Sequence, residues 1–348
     1  MREKLIIGIT HGDINGIGYE VIIKTLLDPR IIEMCTPVVY GSPKVAAYHR
    51  KALNINNFSF NNVKNVEESN SKRANIIDCL DDNVRVELGK STTHAGECAL
   101  KPLQMAIDDL KAGKIDALVT APINKNNMQS SEFTFPGHSE YLAKRCETED
   151  FLMLLVSESL RVGVVAGHIP ISKVSSYITE ALILSKLRIM NESLIKDFGI
   201  RKPRIAVLGL NPHAGDEGVI GDEEKKVIIP AINKAKTENI MALGPYPADG
   251  LFGSDNMSKF DGILAMYHDQ GLVPFKTLYF DSGVNFTAGL PIVRTSPDHG
   301  TAYDIVGKGI ASEESFRQAL YMAIDIVKNR NQYKELRKNP LQSFETPN

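Results

Sequence analysis

Three short apolar runs that each end in a histidine constrain the fold of this chain more than any other feature of its sequence. Apolar runs bounded by glycine or proline are typical of strands buried on both faces of a parallel sheet. Such sheets carry functional side chains just beyond the carboxyl ends of their strands. We therefore predict an α/β protein with a site at one edge of its sheet. The runs and their histidines are residues 160–166 with His168, 204–210 with His213, and 263–266 with His268.

If these three strands lie parallel in one sheet, His168, His213 and His268 emerge along the same edge. Imidazole is the commonest protein ligand for zinc and similar ions, and three protein ligands leave a position open for a substrate. The pattern therefore favours a divalent metal site. The alternative is that each histidine only makes a hydrogen bond in its own turn, and no local spacing such as His-Glu-x-x-His decides between the two.

Composition excludes several classes of protein. The 348 residues are 43% hydrophobic and 24% charged with a net charge of −2, so a nucleic-acid surface or a polybasic membrane patch is not expected. The four cysteines form no Cys-x-x-Cys pair, which indicates reduced thiols. The apolar run at residues 5–9 is too short for a signal peptide, and no run is long enough to span a bilayer. We expect a cytoplasmic protein.

Several other segments bear on ligand binding. The glycines of residues 11–18 are not spaced as Gly-x-Gly-x-x-Gly, so the usual dinucleotide fingerprint is absent. Ser139 is predicted to cap a helix over residues 141–145, where backbone N–H groups suit an anion. Lys276, Asn285 and Arg294 together suit a doubly anionic substrate, although each alone is more typical of a protein surface. The asparagine-rich residues 54–83 are predicted to hold short exposed strands and loops without chemistry.

Seven motifs together give the chain a resemblance to the 4-hydroxythreonine-4-phosphate dehydrogenase family of pyridoxal phosphate biosynthesis. The segment from His299 to Gly309 is also similar to the cofactor loop of isocitrate and isopropylmalate dehydrogenases. The resemblance implies two α/β/α domains with a cleft between them: residues 1–130 plus 290–348 on the cofactor side, and 131–289 for metal, substrate and dimerisation. The motifs lie at residues 12–18, 119–125, 136–140, 211–215, 247–249, 267–271 and 299–309.

The resemblance also implies residue roles. His168, His213 and His268 become the metal ligands, supplied by both chains of a homodimer that shares its active site, with Zn, Mg or Co as the ion. NAD or NADP is the expected cofactor. The implied substrate contacts are His138, Ser139, Lys276, Asn285 and Arg294, and the implied cofactor contacts are His299, Gly300, Thr301, Ala302 and Asp304. The chain departs from the family at Ser139, where threonine is usual, and at Ile14, Asn15 and Tyr19.

The implied reaction is the oxidation of a small phosphorylated hydroxy amino acid, 4-phosphooxy-threonine, at its C3 hydroxyl. Decarboxylation then gives 3-amino-2-oxopropyl phosphate. Lys276 is a candidate general base or a contact for an anionic group, and Asp269 is a second candidate base. Asp249 is expected to orient a ligand imidazole or to contact the substrate amine.

Three alternatives remain open on the sequence. Paralogues of the family act on 4-phosphothreonate or 4-phosphoerythronate, which carry a hydroxyl in place of the amine. A metal-dependent hydrolase would use three histidines to activate water. A metabolite-binding protein without catalysis would need the same anion contacts.

Overall fold

In the computed structural model, which describes residues 4–81, 83–130, 133–135 and 137–339, a single twelve-stranded sheet organises the chain. Pro136, part of one of the motifs above, lies outside the described residues. The strands stand in the order β3-β4-β2-β1-β5-β12-β11-β6-β7-β10-β8-β9. Their bounds are β1 Leu5–Thr10, β2 Cys35–Gly41, β3 Asn61–Val63, β4 Asn75–Asp78, β5 Ala117–Thr120, β6 Leu152–Val156, β7 Arg161–Ala166, β8 Arg204–Leu208, β9 Met241–Tyr246, β10 Gly262–Tyr267, β11 Val284–Ala288 and β12 Arg294–Pro297.

Helices cover both faces of this sheet. Leu118 and Val119 are neighbours on β5, yet Leu118 packs in one apolar cluster and Val119 in another, because successive side chains of a strand point to opposite faces. No helix within the described ranges is long and apolar enough to cross a bilayer. The helices are α1 Gly18–Leu26, α2 Pro29–Met34, α3 Pro43–Ala52, α4 Thr93–Lys111, α5 His138–Arg145, α6 Val174–Tyr177, α7 Glu180–Lys196, α8 Ile229–Thr237, α9 Ala248–Phe252, α10 His268–Tyr279 and α11 Glu314–Leu336.

The three strands that precede the histidines lie side by side. Strand β10 pairs in parallel with β7 on one side and with β8 on the other. The predicted parallel arrangement is therefore confirmed. Strands β6 and β11, in the middle of the sheet, run antiparallel to their neighbours and join the two outer groups of strands.

The strand order supports the predicted division of the chain, which remains a prediction. Six adjacent strands, from β3 to β12, come from residues 1–130 and 290–348. The other six, from β11 to β9, come from residues 131–289.

The asparagine-rich segment differs from expectation. Its second strand, β4, lies between β2 and β3, and three of its four residues are buried. The Asn75 amide donates to the backbone carbonyls of Pro37, Asn70 and Arg73, so a polar side chain is satisfied at a buried position. The prediction that the strands here are exposed was wrong for β4, because two of its three buried residues are isoleucines and the third, Asn75, has its amide hydrogen-bonded.

A buried stack of three rings lies behind the first loop. His11 is 0% exposed and stacks on Tyr19 at 5.1 Å between ring centroids, and Tyr19 stacks in turn on His49 at 5.3 Å. Burial lowers the pKa of His11 from 6.5 to about 3 and also lowers the pKa of His49. Both imidazoles are therefore neutral in the folded protein at neutral pH.

This stack predicts a loss of stability in mild acid. Below about pH 6.5 the unfolded chain protonates His11 while the folded chain does not, so the unfolding free energy falls as the pH falls toward 3. One such histidine contributes a slope of about 1.4 kcal/mol per pH unit. Denaturant unfolding between pH 7 and 5 should show a shallower slope for His11→Gln. The exposed His94 provides the control, and His94→Gln should keep the wild-type slope; equal slopes in all three proteins would refute the prediction.

Candidate active site

A cavity of about 1000 Å³ opens where β5, β12, β11 and the end of β7 meet α5 and α10. Such a volume is typical of a small-molecule site. Eleven of the residues singled out in the sequence line it: His138, Ser139, His168, His268, Asp269, Lys276, Asn285, Arg294, His299, Gly300 and Ala302.

Arg294 forms the floor of this cavity and is 3% exposed. Its Nε and Nη2 atoms donate to Thr120 Oγ1 at 3.0 and 2.7 Å, and Nη1 lies 3.4 Å from Thr287 Oγ1. Burial lowers the pKa of the guanidinium, which still stays charged at neutral pH. Within the described residues no carboxylate forms an ion pair with it. A buried cation held only by hydroxyl groups is a binding site for an anion.

The first turn of α5 adjoins the same anion site. The helix begins at His138 with extended Gly137 as its N-cap, so the prediction that Ser139 caps the helix was wrong. Ser139 Oγ instead lies 3.0 Å from Thr287 Oγ1, which links the start of α5 to Arg294. Backbone N–H groups of a first helical turn attract anions. Burial, with the charges of Arg294 and Lys125, holds the pKa of His138 well below its usual range, so this imidazole is neutral.

Two further polar atoms of the cavity lack a protein partner among the residues that the structure describes. They are Asn285 Oδ1 and His299 Nε2, and both atoms are buried. Both side chains line the cavity. Because buried polar atoms are nearly always satisfied in folded proteins, a bound molecule is the natural partner for both.

His168 and His268 form a pair on the opposite wall, with their ring centroids 6.0 Å apart. Each Nδ1 donates to a carboxylate, His168 to Glu140 Oε1 at 2.9 Å and His268 to Asp269 Oδ1 at 2.7 Å. This leaves each Nε2 as a lone-pair donor, the arrangement that orients metal-ligating histidines in proteins. Burial acts to raise the pKa of Glu140, but the hydrogen bond from His168 outweighs it and lowers the pKa, which keeps the carboxylate ionised. This donor set fits a divalent metal ion.

The third predicted ligand lies elsewhere in the chain. Strand β8 ends at Leu208, and His213 follows in a segment with left-handed backbone dihedral angles, exposed and outside the cavity lining. Asp249, on α9, is also exposed and does not line the cavity. Across the residues that the structure describes, no three His, Cys, Asp or Glu side chains converge on one metal position. In one copy of the chain, therefore, two of the three predicted ligands lie together and the third does not, and the three-histidine metal site remains a prediction.

Lys276 and the segment after β12 complete the cavity. Lys276 Nζ lies 3.2 Å from Asp298 Oδ1 and 3.1 Å from the Asp298 carbonyl oxygen. Burial raises the pKa of Asp298. Of the predicted cofactor contacts, His299, Gly300 and Ala302 line the cavity, whereas Thr301 and Asp304 do not.

The loop that follows His299 is fixed to the rest of the protein at both ends. Tyr303 Oη donates to Asp13 Oδ2 at 2.7 Å, and Asp13 also accepts from the Asn127 amide at 2.8 Å. Farther along, Lys24 Nζ donates to the carbonyl oxygens of Gly309 and Ala311. The loop is thus held in place before any ligand binds, which lowers the entropic cost of binding.

Sequence reasoning missed two carboxylates of the site. Glu140 and Asp298 each hold another site residue in position, His168 and Lys276 respectively. Glu140 lies inside the motif at residues 136–140, and Asp298 directly precedes the motif at residues 299–309, so each is next to a residue that was chosen. The pairs are 28 and 22 residues apart, so no local spacing pointed to them.

Comparison with known proteins assigns this chain to a family. The family model described as pyridoxal phosphate biosynthetic protein PdxA matches residues 33–323. The chain belongs to the PdxA family. A 4-hydroxythreonine-4-phosphate dehydrogenase of Bacteroides thetaiotaomicron is 55% identical over 342 residues, covering 98% of this chain and 93% of its own. A protein of Oceanobacillus iheyensis, provisionally named D-threonate 4-phosphate dehydrogenase, is 42% identical over 94% of this chain and 99% of its own.

Solved structures confirm the predicted fold. A 4-hydroxythreonine-4-phosphate dehydrogenase of Klebsiella pneumoniae is 34% identical and superposes with a TM-score of 0.82, over 93% of this chain and 98% of its own. An isocitrate dehydrogenase of Methylococcus capsulatus shares the fold at 12% identity, with a TM-score of 0.52 over 95% of this chain and 88% of its own. The resemblance read from the motifs, to a PdxA-type dehydrogenase with an isocitrate-dehydrogenase-like fold, is confirmed.

Proposed function

We propose that this protein oxidises 4-phosphooxy-threonine at its C3 hydroxyl with NAD or NADP and decarboxylates the product to 3-amino-2-oxopropyl phosphate. One observation carries the proposal. A single cavity holds Arg294, a buried cation that forms no ion pair with a carboxylate of the described residues, and a pair of oriented imidazoles, His168 and His268. A substrate with a phosphate at one end and an oxidisable hydroxyl near the other would bridge these two features.

We assign the binding of the substrate phosphate to Arg294, Ser139 and His138. The Arg294 guanidinium and the first turn of α5 supply a fixed charge and directed donors, which suits a tetrahedral anion. The neutral His138 donates one N–H without adding a charge that would repel Arg294. Asn285 Oδ1 accepts from a hydroxyl or amine of the substrate.

The imidazole pair is assigned to a divalent metal ion. When bound, the metal supplies positive charge that acidifies the C3 hydroxyl and then stabilises negative charge on the ketone oxygen during decarboxylation. Glu140 and Asp269 keep the two Nε2 lone pairs available by fixing each Nδ1 as a donor.

Lys276 is assigned the proton transfers. Oxidation releases the hydroxyl proton and transfers a hydride to the nicotinamide ring, and decarboxylation later returns one proton to C2, so no net proton is released. Lys276 lines the cavity, donates a hydrogen bond to the Asp298 carbonyl oxygen and pairs with the Asp298 carboxylate, and these contacts hold its Nζ in one place. Asp269, bonded to His268, is assigned to orientation of that imidazole and not to the transfer of the hydroxyl proton.

The nicotinamide dinucleotide is assigned to the loop from His299 to Asp304. His299, Gly300 and Ala302 border the cavity, so this loop brings a cofactor next to the substrate. Thr301 and Asp304 do not line the cavity and are assigned to the outer part of the dinucleotide. The absence of a Gly-x-Gly-x-x-Gly loop in the sequence fits a cofactor held by this segment.

The third metal ligand is assigned to a second copy of the chain. His213 is exposed beyond β8, where a neighbouring subunit is free to approach it. In a homodimer the partner's His213 would complete the pair formed by His168 and His268.

An assay of the purified protein tests the function. Reduced nicotinamide should accumulate only with divalent metal, cofactor and 4-phosphooxy-threonine present together, with one CO₂ released for each cofactor reduced. A chelator should abolish the activity, and added metal should restore it. Reduction of the cofactor without CO₂ release would contradict the decarboxylation step.

A second candidate substrate is suggested by the relative that is provisionally named D-threonate 4-phosphate dehydrogenase. The same assay with 4-phosphothreonate and 4-phosphoerythronate compares an amine with a hydroxyl at C2. A higher kcat/KM for either of these acids would overturn the assignment of the amino substrate. Release of inorganic phosphate without cofactor reduction would instead indicate a hydrolase.

A further inference from the structure

A second cavity, of about 700 Å³, lies on the opposite face of the central strands from the active site. The two cavities share elements but not residues. On β11, Val284 lines the second cavity while its neighbour Asn285 lines the first, because adjacent strand residues face opposite sides. On α10, Tyr279 lines the second cavity and Lys276 the first. Nothing in the proposed reaction uses the second cavity.

Arg161, the first residue of β7, is the feature that makes this cavity a candidate site. Its guanidinium carbon lies 4.7 Å from the centre of the Phe198 ring, so one face of the cation is covered by an aromatic ring. The Nε atom is buried and has no hydrogen-bond partner among the described residues. The carboxylate that acts on it electrostatically, Asp261, is already hydrogen-bonded to the backbone and side chain of Arg204.

The burial of Arg161 is therefore not compensated within the described chain. Desolvation lowers the pKa of its guanidinium, which reflects the same lack of a counter-charge. A guanidinium binds a planar anion such as a carboxylate through two parallel hydrogen bonds from its fork of N–H donors. The half-buried Arg161 is suited to this role.

The remaining walls define the body of the ligand. Apolar side chains from β6, β11 and α11, together with Phe198 after the end of α7, line the same cavity, so an apolar or aromatic group would be buried beside the carboxylate. The carboxylates of Glu158 and Asp325 at the rim would repel a second negative charge, which disfavours phosphate and dicarboxylates. The apolar walls are Val156, Phe198, Val284, Tyr321, Met322 and Ile326.

We propose that this cavity is a second ligand site, which binds a small monocarboxylate with an apolar body through the Arg161 fork. The site is separate from the catalytic cavity and does not depend on the function assigned there. Because Tyr279 and Lys276 share α10, and Val284 and Asn285 share β11, a ligand here contacts the elements that position two active-site residues.

Calorimetric titration of the full-length protein with 3-phenylpropionate tests the proposal. We expect saturable binding with a Kd on the order of 1 mM or tighter, and weakening by about 10-fold or more in Arg161→Gln, which removes one charge-assisted pair. The uncharged amide of the same acid should bind the wild type no more tightly than the acid binds Arg161→Gln. Arg188→Gln is the matched control, because Arg188 is an exposed arginine on α7 that pairs with Glu238 and does not line the cavity, and it should bind like the wild type.

Two outcomes would overturn the proposal. One is the absence of binding by the wild type. The other is equal affinity of the acid for Arg161→Gln and for the wild type, which would show that the acid binds elsewhere. Loss of binding in Arg294→Met would then show that it binds in the catalytic cavity. Arg161→Lys keeps the charge without the fork and should bind with intermediate affinity, which separates loss of recognition from loss of folding.

Discussion

Replacing Arg294 with methionine is expected to lower kcat/KM by about 10³-fold while leaving the protein as stable as the wild type or more so. Two hydrogen bonds from a buried cation to a phosphate are lost, and each such bond is worth about 1.5–3 kcal/mol. In the free protein, however, the guanidinium bonds only to hydroxyl groups, so its removal relieves the cost of burying a charge. Steady-state kinetics and denaturant unfolding measure the two effects.

Arg330 provides the matched control for that experiment. It is also buried, but its Nε donates to Asp197 Oδ1 at 2.6 Å, and Asp197 is itself 2% exposed. Arg330→Met therefore leaves a buried carboxylate unpaired, and we expect it to lower the unfolding free energy by about 3–5 kcal/mol. Should Arg294→Met destabilise the protein as much as Arg330→Met does, Arg294 would be a structural cation and the proposed phosphate site would be wrong.

The parts of this fold that sequence predicts are those set by local pattern. Short apolar runs predicted β7, β8 and β10, and their parallel pairing followed from the rule that strands buried on both faces occur in parallel sheets. The same patterns brought most of the predicted residues to one cavity, because strand ends and helix starts are where a sheet positions its functional groups.

The parts that sequence did not predict depend on tertiary contacts. Ser139 is a favourable capping residue, but its hydroxyl is drawn to Thr287 across the sheet, and Gly137 caps the helix instead. Nothing in the sequence distinguishes Glu140 and Asp298 from other acidic residues, because their contacts with His168 and Lys276 form only in the folded protein. His213 follows its strand as predicted, yet the left-handed segment after β8 carries it away from the other two histidines.

A mixture of two inactive variants is expected to recover activity if the metal site is shared between subunits. His168→Ala and His213→Ala should each lose at least about 100-fold in turnover, since each removes a metal ligand. In a heterodimer of the two, one site combines both substitutions. The other site keeps His168 and His268 of one subunit together with the partner's His213, and is intact.

Co-expression with two different affinity tags isolates this heterodimer, which should show about half the wild-type turnover per dimer. The control is the heterodimer of His168→Ala with His268→Ala. The ring centroids of these two residues lie 6.0 Å apart in one chain, so both rings serve the same site. Each site of that heterodimer therefore carries a substitution, and the protein should stay inactive. Recovery in both heterodimers, or in neither, would contradict a site in which one subunit supplies two imidazoles and its partner the third.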